Sequence, residues 1–207
     1  MQSKTVACIA TGPSITQRQV DCARAKGFRL FVCNNAYQLA VDAELLYAVN
    51  LAWWDHYWSE VKDLPCAKWT TNREAADKYG LNWIAEKHGE GLCTRADTIH
   101  HGHGSGFSLV SMAHKMGAER IVLLGYDLKY APDYDGRAKR AGTTPRHFFG
   151  EYPSSMQHWP SVQVKGGVHV ELVELYRSVA RQGLIEVVNC SPDSAIDCFP
   201  RCEIGTL

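Results

Sequence analysis

Residues 100–109 read HHGHGSGFSL, with three histidines and three glycines in the first seven positions, and lead into the amphipathic run LVSMAHKMGA. Three chemistries fit such a stretch. His101 and His103 could chelate a metal, but no HxxxH spacing or carboxylate partner supports them. Gly102, Gly104 and Gly106 let the backbone bend, so that the amides of Ser105, Gly106 and Phe107 open a helix. Free amides and the helix dipole at that end attract an anion, and a serine there can cap the helix or donate its hydroxyl to a phosphate. The third reading is a plain polar turn. The phosphate cradle is favoured, with Gly104, Ser105 and Gly106 as its candidates. The glycine spacing is not the dinucleotide fingerprint GxGxxG, which also wants a strand directly before it, and no GK[ST] Walker loop occurs.

Other polar residues fall where apolar runs stop. TVACIA ends in Thr11-Gly12-Pro13-Ser14, FRLFVC in Asn34-Asn35, ELLYAV in Asn50, and RIVLL in Gly125 and Asp127. Any one of these is explained by turn preference. As a set they point to one place, because open α/β sheets bind ligands beyond the carboxyl ends of their strands.

The elements that must position them follow from periodicity. Strands are predicted over 5–10, 28–33, 44–49, 67–70, 120–124 and 185–188, and helices over 15–26, 51–61, 72–79, 107–116 and 168–181. Residues 81–97 are ambiguous. Apolar strands alternating with amphipathic helices predict an α/β fold: a Rossmann-like, mostly parallel sheet with helices on both faces. Residues 129–167 fit no regular element and read as a long lid loop. That segment carries Tyr130, Tyr134, Arg137, Lys139, Arg140, Arg146, His147, Tyr152, His158 and Trp159, a basic and aromatic set suited to an anionic ligand. Trp53, Trp54 and Trp58 could stack on a base or sugar, although aromatics at helical spacing are more often core or interface. His114, Asp55 and Glu60 read as helix-face residues.

The chain has 207 residues and zero formal net charge. It reads as one domain spanning 1–207, and its charge gives nucleic acid or an anionic membrane no general attraction. No apolar run approaches the roughly 20 residues of a membrane span, and the first residues do not read as a signal peptide. A cytoplasmic protein is expected. Its eight cysteines contain no CxxC pair; Cys190, Cys198 and Cys202 have seven and three residues between them, which is poor zinc spacing. Reduced, structural thiols are expected.

Four segments taken in order, IATGPS, VCNNAY, GSGFSLVSMAHKMGAERIVLLGYDLKY and VVNCSPDS, resemble the family 42 sialyltransferases. The archaeal-type 6-hydroxymethylpterin diphosphokinases share the GPS and GxD marks. The sialyltransferase resemblance implies a nucleotide-activated, CMP-linked sugar donor and metal-independent transfer to an acceptor glycan or other hydroxyl compound, with no separate cofactor. By position, Thr11 and Ser14 (flanking Gly12) would meet the donor phosphate or sugar. Asn34 and Asn50 would contact the nucleotide or sugar, and Ser105 and Gly106 would hold sugar or phosphate. Tyr130 and Tyr134 would stabilise the departing phosphate, and His158 or His169 would act as base. Asp127 would bind ligand or cap its turn. The chain departs from the pattern at Thr11, where asparagine is usual, at Gly102, where arginine is usual, and at Lys129, which takes the first lid-tyrosine position. Two other readings stand beside it. A Mg²⁺-dependent diphosphotransferase on a pterin-like or nucleoside alcohol would use Asp127, Asp133 and Asp135. A non-catalytic nucleotide-binding protein would fit the absent arginine. A homo-oligomer is left open.

Overall fold

The computed structural model describes residues 3–129, 147–153, 156, 164–165 and 167–207. The strands in chain order are β1 (Thr5–Ile9), β2 (Arg29–Cys33), β3 (Leu45–Tyr47), β4 (Ala67–Thr70), β5 (Asn82–Trp83), β6 (Ala85–Lys87), β7 (Thr98–His100), β8 (Arg120–Leu124), β9 (Val164–Lys165), β10 (Val168–His169) and β11 (Glu186–Asn189). The helices are α1 (Gln17–Ala25), α2 (Leu51–Val61), α3 (Arg73–Tyr79), α4 (Ser105–Lys115) and α5 (Val170–Gln182). Seven strands form the main sheet in the order β11-β8-β1-β2-β3-β4-β5, every neighbouring pair parallel. The expected α/β class is therefore the observed one.

Why the central strands are apolar along their whole length is visible in the packing. Ala7 and Ile9 of β1 join α1, α2 and the C-terminal Ile204 on one face; Val6 and Cys8 join α4 and α5 on the other. A parallel sheet covered on both faces has no side to give to water. Two helix starts are set by local chemistry. Thr16 accepts from the Gln19 amide while the Gln19 side chain returns to the Thr16 backbone, and Asn72 accepts from the Ala75 amide at 2.8 Å. Such caps satisfy amides that the helix itself leaves unpaired.

The tryptophans of α2 belong to the core rather than to a ligand surface. Trp54 is fully buried and donates its indole N–H to the Ala48 carbonyl at 3.1 Å. Trp53 is buried too, and its indole donates to Asn35 Oδ1 at 2.7 Å. Trp54→Ala is expected to remove about 3–5 kcal/mol, read as a lower denaturant midpoint at unchanged slope.

The structure corrects several expectations. α4 begins at Ser105, two residues before the predicted start, and its N-cap is Gly104, so Ser105 is the first helical residue and not the cap. A strand, β7, does stand directly before the histidine loop, but it pairs with β6 in a separate two-stranded sheet. Three residues of mixed polarity were too short to show a period. Val168 and His169, predicted as helix, pair antiparallel with Val164 and Lys165, which lie in the stretch predicted to be irregular. Glu60 is exposed yet accepts the Tyr37 hydroxyl, and Asp55 pairs with Lys78 at 2.8 Å.

Candidate functional site

The strand order reverses at β1. From β1 the chain steps outward through β2, β3, β4 and β5; β8 and β11 lie on its other side. The carboxyl ends of β1 and β8 thus flank a topological switch point, where an open α/β sheet leaves a crevice. The loop after β1 closes directly onto the end of β8. Gly12 N–H donates to the Gly125 carbonyl at 2.9 Å, and Ser14 N–H donates to Asp127 Oδ2 at 3.3 Å. Gly12 is required by this approach, since a Cβ there would stand 1.9 Å from Asp127 Oδ2 and 2.4 Å from the Gly125 oxygen.

Asp127 is buried, and burial raises its carboxyl pKa above 3.8, with the hydrogen bond from the Ser14 amide drawing it part-way back. A folded-state pKa above the unfolded one means that the native state binds the proton more tightly. The associated stability is fully present below pH 3.8 and is lost as the pH rises through the folded pKa. Asp127→Asn removes this slope while keeping an acceptor for Ser14. Its melting temperature is expected to gain on the wild type as pH is raised from below 3.8 to 7, in a melting series across that range. Parallel curves would contradict the assignment.

On the β2 side, Asn34 adopts φ +48°, a left-handed conformation that asparagine tolerates better than most residues. It is half-buried, whereas Asn35 is consumed by the Trp53 indole. Two residues that the sequence shows only as lid members complete this edge. His147 Nδ1 lies 2.9 Å from Thr11 Oγ1, and Phe148 N–H donates to the Thr11 carbonyl at 3.0 Å. The His147 imidazole is parallel to the Phe149 ring at 5.0 Å and edge-on to Tyr152 at 4.9 Å. Burial pushes the Tyr152 hydroxyl well up, against the opposing effect of hydrogen bonding to Asn34 and Thr11. Thr11 and His147 are 136 positions apart, and no spacing in a single sequence announces that meeting.

The cradle helix arrives at the same edge. α4 runs into β8 and hence antiparallel to the strands, which puts its N-terminus at their carboxyl ends. Tyr126, just past β8, donates its hydroxyl to the Gly106 carbonyl at 3.0 Å and packs edge-on to Tyr176. Ser105 is buried, and Gly104 is extended before it. Gly102, where the resemblance expects arginine, has no room for a side chain: a Cβ would stand 2.5 Å from the Phe107 Cβ. His101 contacts His103 at 4.5 Å and His88 at 5.7 Å between ring centroids. Among the described residues no group of three or more ligating side chains is arranged to hold a metal.

The remaining candidates divide. Asn50 caps α2 through its carbonyl, which accepts from Trp53 and Trp54, while its exposed carboxamide makes no cap bond. It stands at the end of β3, two strands from β1. His169 is tied to the β8 exit by its N–H to the Leu128 carbonyl at 3.2 Å, and Leu128 itself is held at φ +48°. Burial lowers the His169 pKa to about 4, so its imidazole is neutral at pH 7 and a weak proton acceptor. Tyr130, Tyr134 and His158, with Asp133 and Asp135, lie outside the described residues.

No family model and no curated protein matches this chain. Among the described residues no helix is long and apolar enough to cross a membrane. Among solved structures the chain is similar to the sialyltransferase CstII from Campylobacter jejuni in complex with a substrate analogue, cytidine-5'-monophosphate. The TM-score is 0.58 at 14% identity, over 99% of this chain and 87% of that one. The diphosphokinase part of the resemblance has no counterpart among these findings. The likeness is one of fold, and what it establishes is that this chain has the Rossmann-like α/β architecture that a sialyltransferase also uses.

Proposed function

We propose that this chain is a metal-independent transferase that binds a nucleotide-activated donor, a CMP-linked sugar, across the carboxyl edge between β1 and β8 and passes the sugar to an acceptor hydroxyl. The observation that carries the reading is the convergence of the Gly12–Ser14 loop, Asn34 and the α4 N-terminus on that switch point, in a fold that CstII shares with cytidine-5'-monophosphate bound. In this reading Thr11, Ser14, Asn34 and Asn50 meet the nucleotide and sugar, and Gly104, Ser105 and Gly106 offer their amides to the phosphate. Asp127 braces the loop from beneath.

Transfer breaks the bond between the sugar carbon and the phosphate oxygen as the acceptor oxygen attacks that carbon. The acceptor proton goes to a histidine, the residue whose ordinary pKa suits this at neutral pH. His147 is the favoured base, with His158 and His169 as the other two candidates. Thr11 Oγ1, 2.9 Å from Nδ1, fixes the orientation of the His147 ring at this edge. Tyr130 and Tyr134 are assigned to the leaving phosphate. The acceptor is a glycan or another small hydroxyl compound.

Calorimetry with CMP, CDP, UDP, GDP and ATP, in chelator and in Mg²⁺, tests the donor class. CMP or CDP should bind in chelator and weaken at least tenfold in Asn34→Ala. Binding of ATP alone, and only with Mg²⁺, would transfer the assignment to diphosphate chemistry. CMP binding without any turnover of a CMP-sugar would mark a binding protein.

A further inference from the structure

The segment from Cys190 to Cys202, which follows β11, has no role assigned to it in the proposed transfer. It begins and ends on a thiol, and those thiols face one another: Cys190 Sγ and Cys202 Sγ are 3.7 Å apart, and both are free. The backbone brings them together. Asn189 and Arg201 form a parallel bridge, and Asn189 N–H donates to the Pro200 carbonyl at 2.8 Å. The next pair along such a ladder is Cys190 and Cys202, on strands about 4.8 Å apart. That spacing lies inside the roughly 4.4–6.8 Å Cα separation a disulfide spans. Cys190 is buried, and Cys202 is the less buried of the two, packed at the margin of the core.

We propose that Cys190 and Cys202 form an oxidisable dithiol, a modification site that exchanges with small-molecule disulfides of the glutathione class and closes an internal disulfide. The Cys202 thiolate attacks one sulfur of the oxidant, forming a mixed disulfide and releasing one thiolate. Cys190 then gives up its proton and attacks the Cys202 sulfur, releasing the second. The protein loses two hydrogens, and one disulfide is reduced to two thiols. The order of attack follows from the surroundings: burial, with Cys202 and Cys22 beside it, pushes the Cys190 thiol up to about 12, which suits it to the second, intramolecular step.

What the disulfide would fasten is the support of the switch-point edge. Between the two cysteines, Ser191 Oγ accepts from the Tyr126 amide at 2.8 Å, Ser194 Oγ donates to the Tyr126 carbonyl at 2.5 Å, and Ala195 N–H donates to the Asp127 carbonyl at 2.8 Å. Oxidation would tie this clamp shut beneath Asp127.

The test treats the full chain with oxidised glutathione, maps its peptides by mass spectrometry and measures its melting temperature. The peptides bearing Cys190 and Cys202 should be joined with loss of two hydrogens, and melting should rise by about 5–10 °C for a short loop closed in a chain of this size. Dithiothreitol should reverse both changes. Cys22→Ser and Cys198→Ser should retain the link, and Cys202→Ser should melt like the reduced wild type. A glutathione adduct on Cys202 that never closes, a link through Cys22 or Cys198, or closure without a rise in melting would overturn the proposal. Peptide mapping of the wild type decides the linkage even if a variant does not fold.

Discussion

Gly12→Ala is expected to destabilise the fold by about 1–3 kcal/mol, the usual cost of forcing an extra carbon into packed space, and, under the transfer reading, to abolish nucleotide binding. The clash has two partners of different kind. The Asp127 carboxylate, 1.9 Å from the new Cβ, could rotate; the Gly125 carbonyl, at 2.4 Å, is backbone that also receives the Gly12 amide at 2.9 Å. Relief must therefore separate the ends of β1 and β8 and open the crevice floor. Adding Asp127→Ala should restore only part of the loss, because the carbonyl contact remains. Gly205→Ala is the control: nothing lies within 4 Å of a Cβ there, and melting should be unchanged. Denaturant titration and CMP calorimetry on the three variants check the set. A Gly12→Ala chain that binds CMP normally would remove this loop from the site.

Under the transfer reading, His147→Gln is expected to lower turnover of a CMP-sugar by about 10²–10⁴-fold, the range of a general base, with CMP affinity little changed. His169→Gln should leave turnover within a few fold, because burial has already lowered that imidazole to about 4. Thr11→Val keeps the shape but removes the hydroxyl 2.9 Å from Nδ1, and should fall between them. The split between turnover and affinity matters, since His147 also packs on Phe149 and Tyr152. If His147→Gln lost affinity and turnover together, its role would be to support the edge rather than to move a proton.

Much of the frame could be read from local pattern. RIVLL and LAWWDHYWSEV occupy β8 and α2 at the predicted bounds, because RIVLL is a short continuous apolar run stopped by Gly125 and LAWWDHYWSEV keeps a helical period after Asn50. The strand ends that the switch-point rule singles out also meet: Gly12 and Ser14 touch the end of β8. What could not be read depends on distance in sequence. β7 and β10 are too short for a period, and nothing in the Thr11 neighbourhood shows that His147 will stand against it. Asn34 and Asn35 look equivalent as letters; packing gives Asn35 to the Trp53 indole and leaves Asn34 half-buried at the end of β2, beside Tyr152. Gly102 stands where the resemblance expects arginine, and the Phe107 ring beside it explains why no side chain fits.

Amide hydrogen exchange on the full chain, with and without CMP in chelator, tests nucleotide binding at the edge between β1 and β8. Exchange should slow in three separate segments, 12–15, 34–36 and 105–107, with α3 and the distant edge strand β5 unchanged. No CMP-dependent change in those segments, or protection confined to another face of the sheet, would contradict binding at that edge.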